Sequence, residues 1–402
     1  MVDPRDFNLA RLLQPISAAA FFSEYWEKHP LHISRNAPDY YASVLTLDQI
    51  DPLLTILPPD GVLLTDAAAE TAIEIGDMIR ADRTAATAAL DVVKACQSFA
   101  SGATIIIRDA HKRIASLMAL TRTLESELGC PCKANLYMTP ARGKGLDTHY
   151  DTHDTILLQI AGSKEWTIFD SPVQLPLDNQ HADTQKPPAG KQTLSCTLSA
   201  GDLLYIPRGY LHHGRSCDDT SLHATVGVMS YRWADVLLEA VSDLCLNDPA
   251  FRRALPVDFG RGSLDMAATR KVFDDLLQRV RDNTQLEPAL ARLADQFVVG
   301  RSALVPGQIR QVMLARTLTL DDAVGVRPGL IYAMQRQGDM VRIRAHGRDI
   351  QLSADASEAV TFALETPAYR VRDLPGDLGD DGKLTIVRHL ILEGLVLKLG
   401  AN

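Results

Sequence analysis

Short apolar runs bounded by turn residues fill the middle of this chain. Residues 156–160 form one such run, which ends at a turn over 161–163 and is followed by a return run over 164–169. Residues 203–206 form another, with glycine-containing turns on both sides. Runs of this length between turns are typical of strands, and several of them in succession favour a small double-sheeted barrel.

Helical periodicity dominates elsewhere. Residues 111–128 are amphipathic and are followed by Gly129, and residues 231–246 and 273–293 also repeat apolar positions at helical spacing. Near the carboxyl end, two alternating segments flank His346-Gly347, which predicts a β-hairpin followed by helices. The pattern therefore predicts an α+β chain in which a strand-rich part precedes a helical part and a smaller mixed part.

His149 and Asp151 flank Tyr150 in the strand-rich part. Successive strand side chains point to opposite faces, so in a strand His149 and Asp151 share one face. A histidine beside a carboxylate supplies two ligands of the facial triad that holds non-haem Fe(II). We expect the third ligand to be a histidine from a distant strand, and His212 follows the turn at Gly209. The alternative is that His149 and Asp151 form an ordinary hydrogen-bonded pair.

The residues around this motif resemble a known family. The resemblance is carried by Asn135-Leu136-Tyr137, Thr139-Pro140, His149-Tyr150-Asp151, Gln159, Gly162, Lys164, Trp166, Pro207-Arg208-Gly209 and His212. Together they look like the JmjC-type ribosomal oxygenases, which are Fe(II)- and 2-oxoglutarate-dependent protein hydroxylases. The resemblance implies a double-stranded β-helix (cupin or jelly-roll) catalytic domain over residues 1–230, a helical dimerisation segment over 231–315 and a winged-helix-like domain over 316–402.

The resemblance also implies a site for the cosubstrate. Lys164 would hold the distal carboxylate of 2-oxoglutarate, since a lysine pointing into a barrel is costly unless an anion pairs with it. Tyr137 would add a hydrogen-bond donor, with Asn135 on the same strand face, and Thr225 is a further candidate contact. The alternatives are a surface lysine at a turn and, for Tyr137 and Asn135, a half-buried strand pair.

Other histidines near the motif need separate interpretations. His153 and Asp154 are adjacent and would face opposite ways in a strand, so we place them near the substrate opening or behind the ligands. His213 would face away from His212, and the family's Pro-x-Gly-x-x-His spacing selects His212 as the ligand. His223 is interpreted as a pocket histidine whose ring nitrogens are hydrogen-bonded within the protein.

Composition limits the class of protein. The 402 residues are 46% hydrophobic and 23% charged, which is typical of a globular chain. We expect no signal peptide or membrane span, because no long apolar run occurs, and six scattered cysteines favour a reducing cytoplasm. A net charge of −9 argues against wholesale nucleic-acid binding.

The helical segment carries more apolar residues than a linker needs. That apolar surface must be buried, and a two-fold helical interface is the commonest symmetric solution, so we predict a homodimer. The alternative is that these helices pack on their own barrel. The residues concerned are Trp233, Leu237, Leu238, Leu244, Phe273, Leu276 and Leu277.

The leading hypothesis is a 2-oxoglutarate-dependent dioxygenase that uses Fe(II) and O2 to hydroxylate a side chain of a protein or peptide, either a ribosomal-protein-like substrate or a precursor peptide. One alternative is a regulator that senses metal or 2-oxoglutarate and binds nucleic acid through a basic winged helix. Another is a cupin enzyme that does not use 2-oxoglutarate. The arginines behind the first alternative are Arg336, Arg342, Arg344 and Arg348.

Overall fold

A computed structural model describes residues 7–56, 62–66, 71–73, 90–181, 190–257, 259–262 and 264–400. The chain divides into two compact units, Met1–Ser230 and Tyr231–Asn402. Within the described residues, no helix has the length and apolar character that a membrane crossing would require.

The first unit combines short helices with a long series of strands. Its helices are α1 (Leu9–Leu13), α2 (Ala18–Ala20), α3 (Ile50–Ile56), α4 (Val92–Ala100) and α5 (Ala115–Leu128). Its strands are β1 (Leu31–Ile33), β2 (Val62–Asp66), β3 (Thr71–Ile73), β4 (Thr104–Ile107), β5 (Cys132–Thr139), β6 (Asp154–Ala161), β7 (Ser163–Phe169), β8 (Gln192–Ser199), β9 (Leu203–Ile206), β10 (His212–Ser216) and β11 (Ser221–Val228).

These strands form two antiparallel sheets. Among the described residues, the larger sheet has the order β1-β9-β6-β11-β5-β4-β2-β3, and the smaller sheet has the order β10-β7-β8. Apolar side chains from both sheets pack in one cluster that includes Leu157, Trp166, Leu198 and Leu204, so the two sheets lie face to face. The expected cupin-type fold with mixed helices and sheets is confirmed.

The two-residue period of the central strand β11 separates the core from a polar interior. Leu222, Ala224 and Val226 point into the main hydrophobic core, which α1 and α5 also build. His223 and Thr225 point the other way and line a cavity between the sheets. The neighbouring strands β5 and β6 divide their side chains in the same manner, so the larger sheet presents polar groups to the smaller one.

The turn between β6 and β7 depends on glycine. Gly162 has a φ of +63°, and a Cβ there would lie 2.0 Å from the carbonyl oxygen of Thr220. A non-glycine residue would meet both the strain of the left-handed region and a steric clash. The predicted turn is therefore fixed by close backbone approach as well as by its conformation, and it carries the chain from the larger sheet to the smaller one.

One predicted helix begins later than its pattern indicated. The amphipathic segment from His111 forms α5 only from Ala115, and Ala110–Lys112 form a separate 3-10 turn. Ile114 has an extended conformation, which interrupts the helical ladder between the two segments. The Nδ1 atom of His111 accepts a hydrogen bond from the Ala134 amide at 3.1 Å, which gives this histidine a structural role.

The second unit is helical first and mixed afterwards. Its helices are α6 (Trp233–Asn247), α7 (Met266–Asn283), α8 (Leu286–Val299), α9 (Gln308–Ala315), α10 (Ser357–Glu365) and α11 (Asp380–Leu392). Its strands are β12 (Ala323–Val326), β13 (Tyr332–Gln337), β14 (Met340–Ala345), β15 (Arg348–Ser353), β16 (Tyr369–Arg370) and β17 (Val396–Lys398).

The hairpin predicted around His346-Gly347 is present between β14 and β15. Both turn residues have positive φ, at 57° and 70°, which matches the twist of a two-residue hairpin. Strand β13 extends the hairpin to a sheet of three strands. The assignment of this part as a winged helix stays a prediction.

Candidate metal centre

His149 and His212 are joined by their backbones. The amide of His149 donates to the carbonyl of His212 at 3.2 Å, and the amide of His212 donates back at 2.8 Å. They form an isolated antiparallel bridge. The pattern predicted that His149 and Asp151 lie in a regular strand. Instead, they lie in an extended segment between β5 and β6. His212 opens strand β10.

Both histidine rings are oriented by backbone carbonyls. The Nδ1 atom of His149 lies 2.6 Å from the carbonyl oxygen of Asp147, and that of His212 lies 2.9 Å from the carbonyl oxygen of Tyr210. A carbonyl only accepts hydrogen bonds, so each Nδ1 carries the proton. Each Nε2 is left with its lone pair, which is the arrangement of histidine ligands in metal sites.

Asp151 completes a three-residue cluster with these histidines. One ligand atom from each of the three residues lies within 4.8 Å of the others, and the structure describes no second cluster of this kind. The Thr155 hydroxyl donates to Asp151 Oδ2 at 3.2 Å, and the Gly209 amide donates to the Asp151 carbonyl at 2.9 Å. These bonds hold the carboxylate toward the histidines.

The electrostatics suit a cation between the three side chains. Burial favours the neutral carboxyl of Asp151, but His153, His212 and His149 together lower its pKa. Burial, followed by the charge of His149, lowers the pKa of His212 to about 4. At neutral pH the cluster therefore offers an anionic carboxylate and a neutral imidazole from His212. Two nitrogen donors and one carboxylate on one side of a metal fit Fe(II) and leave positions for other ligands.

The cluster lies at a cavity between the two sheets of the first unit. Its wall includes most of the residues predicted from the sequence together with several that were not. The lining residues are Tyr137, Gly145, Leu146, His149, Asp151, Thr155, Leu157, Lys164, Trp166, His212, His213, Gly214, His223 and Thr225.

Lys164 is buried in this cavity, with 2% of its surface exposed. Its Nζ donates to Thr139 Oγ1 at 3.2 Å and lies 5.2 Å from the centre of the Trp166 ring. No carboxylate among the described residues forms an ion pair with it, and burial lowers the pKa of Lys164 to about 7. Since an uncompensated buried charge is unstable, the cavity favours an anionic ligand.

Arg208 shows how the same fold treats a buried cation that has partners. Its guanidinium contacts Asp154 Oδ2 at 2.8 Å and Glu27 Oε1 at 2.6 Å. The Tyr205 hydroxyl donates to the other oxygen of Asp154 at 2.8 Å. Asp154 is thus committed to this network and lies outside the cluster of His149, Asp151 and His212.

The other predicted cosubstrate residues lie on adjacent strands. Tyr137 and Thr225 line the cavity, and burial, followed by the charge of Asp151, raises the pKa of Tyr137 to about 12. Asn135 is not among the lining residues. Its side-chain oxygen accepts from the Asp109 amide at 2.9 Å, and it hydrogen-bonds Tyr137. Asn135 therefore orients the phenol of Tyr137 without lining the cavity itself.

Two further histidines have different surroundings. His213 lies at the cavity wall with its Nδ1 3.0 Å from the Thr148 hydroxyl. His223 was predicted to be fully hydrogen-bonded, and this is wrong: its buried Nδ1 has no partner among the described residues. The discrepancy arises because the rings of Tyr137 and Trp166 pack against the imidazole without forming a hydrogen bond to that nitrogen.

Sequence reasoning missed two glycines beside Lys164. A Cβ on Gly145 would lie 3.0 Å from Lys164 Nζ, and a Cβ on Gly214 would lie 2.9 Å from Lys164 Cε. The Gly145 amide donates to the Gly214 carbonyl at 3.0 Å, so the two glycines lie side by side next to Lys164. The only signal in the sequence was a glycine-containing loop before the metal motif. The sequence did not show which distant residue this loop would contact.

Comparisons with known proteins found one domain match and several relatives along the chain. Residues 109–236 match the JmjC domain family. A Dictyostelium discoideum protein, bifunctional lysine-specific demethylase and histidyl-hydroxylase NO66, is 28% identical over 98% of this chain and 82% of its own length. Ribosomal oxygenase 2 of Mus musculus is 29% identical over 61% of this chain, and the match spans 53% of the mouse protein.

Solved structures show the same fold. Escherichia coli YcfD, a ribosomal oxygenase in complex with cobalt and 2-oxoglutarate, superimposes with a TM-score of 0.53 over 96% of this chain and 99% of YcfD. The identity is 14%, so this likeness concerns the fold alone. The fold is of the cupin type, and its cavity carries a cluster of two histidines and an aspartate. The sequence matches confirm the resemblance: residues 109–236 match the JmjC domain, and the chain is similar to proteins named as a histidyl-hydroxylase and as a ribosomal oxygenase.

Replacing a proposed ligand should abolish metal binding without unfolding the chain. We expect His149→Ala or Asp151→Ala to weaken Co(II) binding by more than about a hundredfold, because each removes a direct ligand where even supporting contacts are worth about ten- to a hundredfold. Anaerobic titration followed by visible absorption measures this. His213→Ala is the matched control and should bind Co(II) normally; loss of binding only in His213→Ala would contradict the assignment.

Proposed function

We propose that this protein is an Fe(II)- and 2-oxoglutarate-dependent oxygenase that hydroxylates a side chain of a protein or peptide. The observation that carries the proposal is a single cavity with two chemically different parts. Three metal ligands, His149, Asp151 and His212, meet at one part. Lys164, buried and without an ion-pair partner among the described residues, lines another. A ligand that coordinates a metal through one end and presents a carboxylate at the other satisfies both parts.

Each residue has a defined task in this proposal. His149 and His212 present neutral Nε2 lone pairs, and Asp151 supplies the negative charge that a divalent cation needs. Lys164 binds the distal carboxylate of 2-oxoglutarate. Tyr137, oriented by Asn135, donates a hydrogen bond toward the cosubstrate, and Thr225 adds a further polar contact. Bound iron, 2-oxoglutarate and O2 together supply the oxidising chemistry, while the protein holds them and limits access by water.

A protein or peptide is the proposed substrate. The Dictyostelium relative is named a histidyl-hydroxylase, and the mouse relative a ribosomal oxygenase. We extend this to the present chain as hydroxylation of one side chain in a ribosomal-protein-like substrate or a precursor peptide. We also propose that the reaction takes place in the cytoplasm, where the free cysteines found among the described residues stay reduced.

Nucleic-acid sensing is less well supported by the arrangement of charges. Three of the four arginines near the β14–β15 hairpin have acidic partners: Arg342 pairs with Asp349, Arg344 with Asp295, and Arg348 with Glu393. Pairing of this kind leaves little free positive charge to displace counterions from a phosphate backbone. We keep the winged helix as a structural proposal for residues 316–402, on the basis of this three-stranded sheet and the helices α10 and α11.

A homodimer through residues 231–315 is also proposed. Trp233, Leu237 and Leu238 on α6 are 73%, 65% and 70% exposed. Phe273 and Leu277 on α7 are also exposed, whereas Leu244 is buried. Exposed apolar residues concentrated on neighbouring helices mark a surface that another protein covers. A second copy of the same chain covers it by two-fold symmetry without any further component.

The affinity for 2-oxoglutarate should depend on pH through Lys164. The anion selects the protonated amine, whose pKa in the free cavity is about 7. Below that pH the affinity should be flat, and above it the affinity should fall by up to about tenfold per pH unit, because a proton must be taken up on binding. Calorimetry of Co(II)-loaded protein from about pH 6 to about pH 9 measures the profile.

Lys164→Met is the control for this profile. It should bind 2-oxoglutarate weakly at every pH, because the methionine has no charge to gain. A wild-type affinity that does not change across the range would contradict the role of Lys164. Unchanged activity and 2-oxoglutarate affinity in Lys164→Met would likewise contradict that role, and turnover that needs no 2-oxoglutarate would favour the alternative of a cupin enzyme that does not use the cosubstrate.

Turnover should produce a substrate that has gained one oxygen atom. We expect peptides with this mass gain in the host proteome when the wild-type gene is present, and their loss in a deletion strain. A strain that carries Asp151→Ala should behave like the deletion, because the metal is lost. Mass spectrometry of the whole proteome compares the three strains. Identical peptide masses in wild type and deletion would refute hydroxylation of a cellular protein.

Assembly should depend on the exposed face of α6. Light scattering at micromolar concentration should give about twice the monomer mass of 44.0 kDa for the wild type. The double substitution Leu237→Glu and Leu238→Glu should reduce the mass to that of a monomer, since it places charges in an apolar interface. Ile56→Glu, at a 77% exposed position on α3, is the matched control and should remain a dimer. A monomeric wild type would refute the proposal.

A further inference from the structure

We propose that His223 is an additional cosubstrate-binding residue, which donates a hydrogen bond to the same distal carboxylate that Lys164 binds. This inference rests on the proposed function, because it concerns the anion that the function requires. It assigns a role to a histidine that lies apart from the metal ligands and whose side chain the metal cluster does not use.

The strand places His223 on the cavity face. Its register pairs it with Tyr137 on β5 and with Gln159 on β6, at a bulge next to Leu222. Leu222 and Ala224, on either side, belong to the main hydrophobic core, whereas His223 lines the cavity. Only 2% of its surface is exposed. A polar ring therefore occupies a central, fully covered position on the wall that faces the ligand.

Aromatic packing holds the imidazole of His223 in place but does not explain why a polar ring occupies this position. The ring lies parallel to that of Tyr137, with 5.0 Å between centroids and an interplanar angle of 3°. The Trp166 ring meets it edge to face, with 5.5 Å between centroids. A phenylalanine would satisfy these contacts equally well and would carry no polar atom to bury. The nitrogen atoms are the feature that needs an explanation.

The polar part of the ring is incompletely satisfied within the described chain. Its Nδ1 is buried and has no hydrogen-bond partner there. Burial, followed by the charge of Lys164, holds the pKa of His223 well below its usual range, so the ring is neutral near pH 7. A buried polar group without a partner costs free energy, which a ligand with acceptor atoms recovers.

A carboxylate matches this pair of residues. It has two oxygens that accept hydrogen bonds, and a neutral imidazole has one N–H to donate while an ammonium has three. Lys164 and His223 line the same cavity, and the charge of Lys164 helps to keep the imidazole neutral. The ammonium provides the charge and the imidazole provides a second, rigidly held donor, so together they recognise the position of the carboxylate as well as its charge.

The test compares two probes that differ in the distal carboxylate. Binding of 2-oxoglutarate and of 2-oxobutyrate, which lacks that carboxylate, is measured by anaerobic calorimetry on Co(II)-loaded full-length protein. We expect His223→Phe to weaken 2-oxoglutarate binding by about ten- to a hundredfold, the range for a hydrogen bond to a charged group. Binding of 2-oxobutyrate and of Co(II) itself should stay within about twofold.

Two further variants separate binding from packing. His223→Gln keeps a donor and should recover part of the 2-oxoglutarate affinity. His29→Phe makes the same chemical change at an exposed histidine of the same unit and should bind both probes like the wild type.

Three results would overturn the inference. A wild-type affinity for 2-oxoglutarate in His223→Phe would show that the proposed hydrogen bond does not exist, but it would leave the proposed function intact. Equal losses for both probes and for Co(II) in His223→Phe and His223→Gln assign the residue to packing alone. A wild-type protein that binds Co(II) but neither probe overturns the proposed function and this inference with it.

Discussion

The paired backbone hydrogen bonds between His149 and His212 are the constraint on which the rest of the site depends. They join an extended segment that follows β5 to the first residue of β10, so two imidazoles that are far apart in sequence become neighbours. Each ring is then turned by a carbonyl on its own segment, through Asp147 and Tyr210. Ligand placement therefore depends on backbone geometry, which side-chain substitutions nearby disturb only indirectly.

The treatment of buried cations gives the cavity its chemical character. Arg208 has two carboxylate partners, and its network ties β6 and the turn before β10 to Glu27. Lys164 has no such partner in the described chain, and Gly145 and Gly214 leave room beside it. The free-energy cost of burying a cation is thus offset by carboxylates of the protein at Arg208, whereas no carboxylate of the described chain offsets it at Lys164. A buried cation without an ion-pair partner inside a cavity favours the binding of an anion at that position.

The second unit divides its polar and apolar surfaces in a way that bears on partners. The arginines near the β14–β15 hairpin are largely paired with acids of the same unit, whereas large apolar side chains on α6 and α7 stay exposed. The surface of these helices therefore suits association through apolar contacts more than attraction of a polyanion. This is the physical basis for preferring a dimer over nucleic-acid binding as the role of the unit.

The sequence by itself determined the class of fold, the turn at Gly162, the strand at 203–206 and the identity of the candidate ligands. These features depend on local periodicity and turn chemistry, which neighbouring residues carry. The tertiary structure alone decided that His149 sits in a bridge and not in a strand, and that Asn135 hydrogen-bonds Tyr137. It also decided that one nitrogen of His223 has no partner among the described residues. Each of these depends on which distant backbone or ring comes within hydrogen-bonding distance. That is set by sheet register and barrel closure, and no local pattern records it.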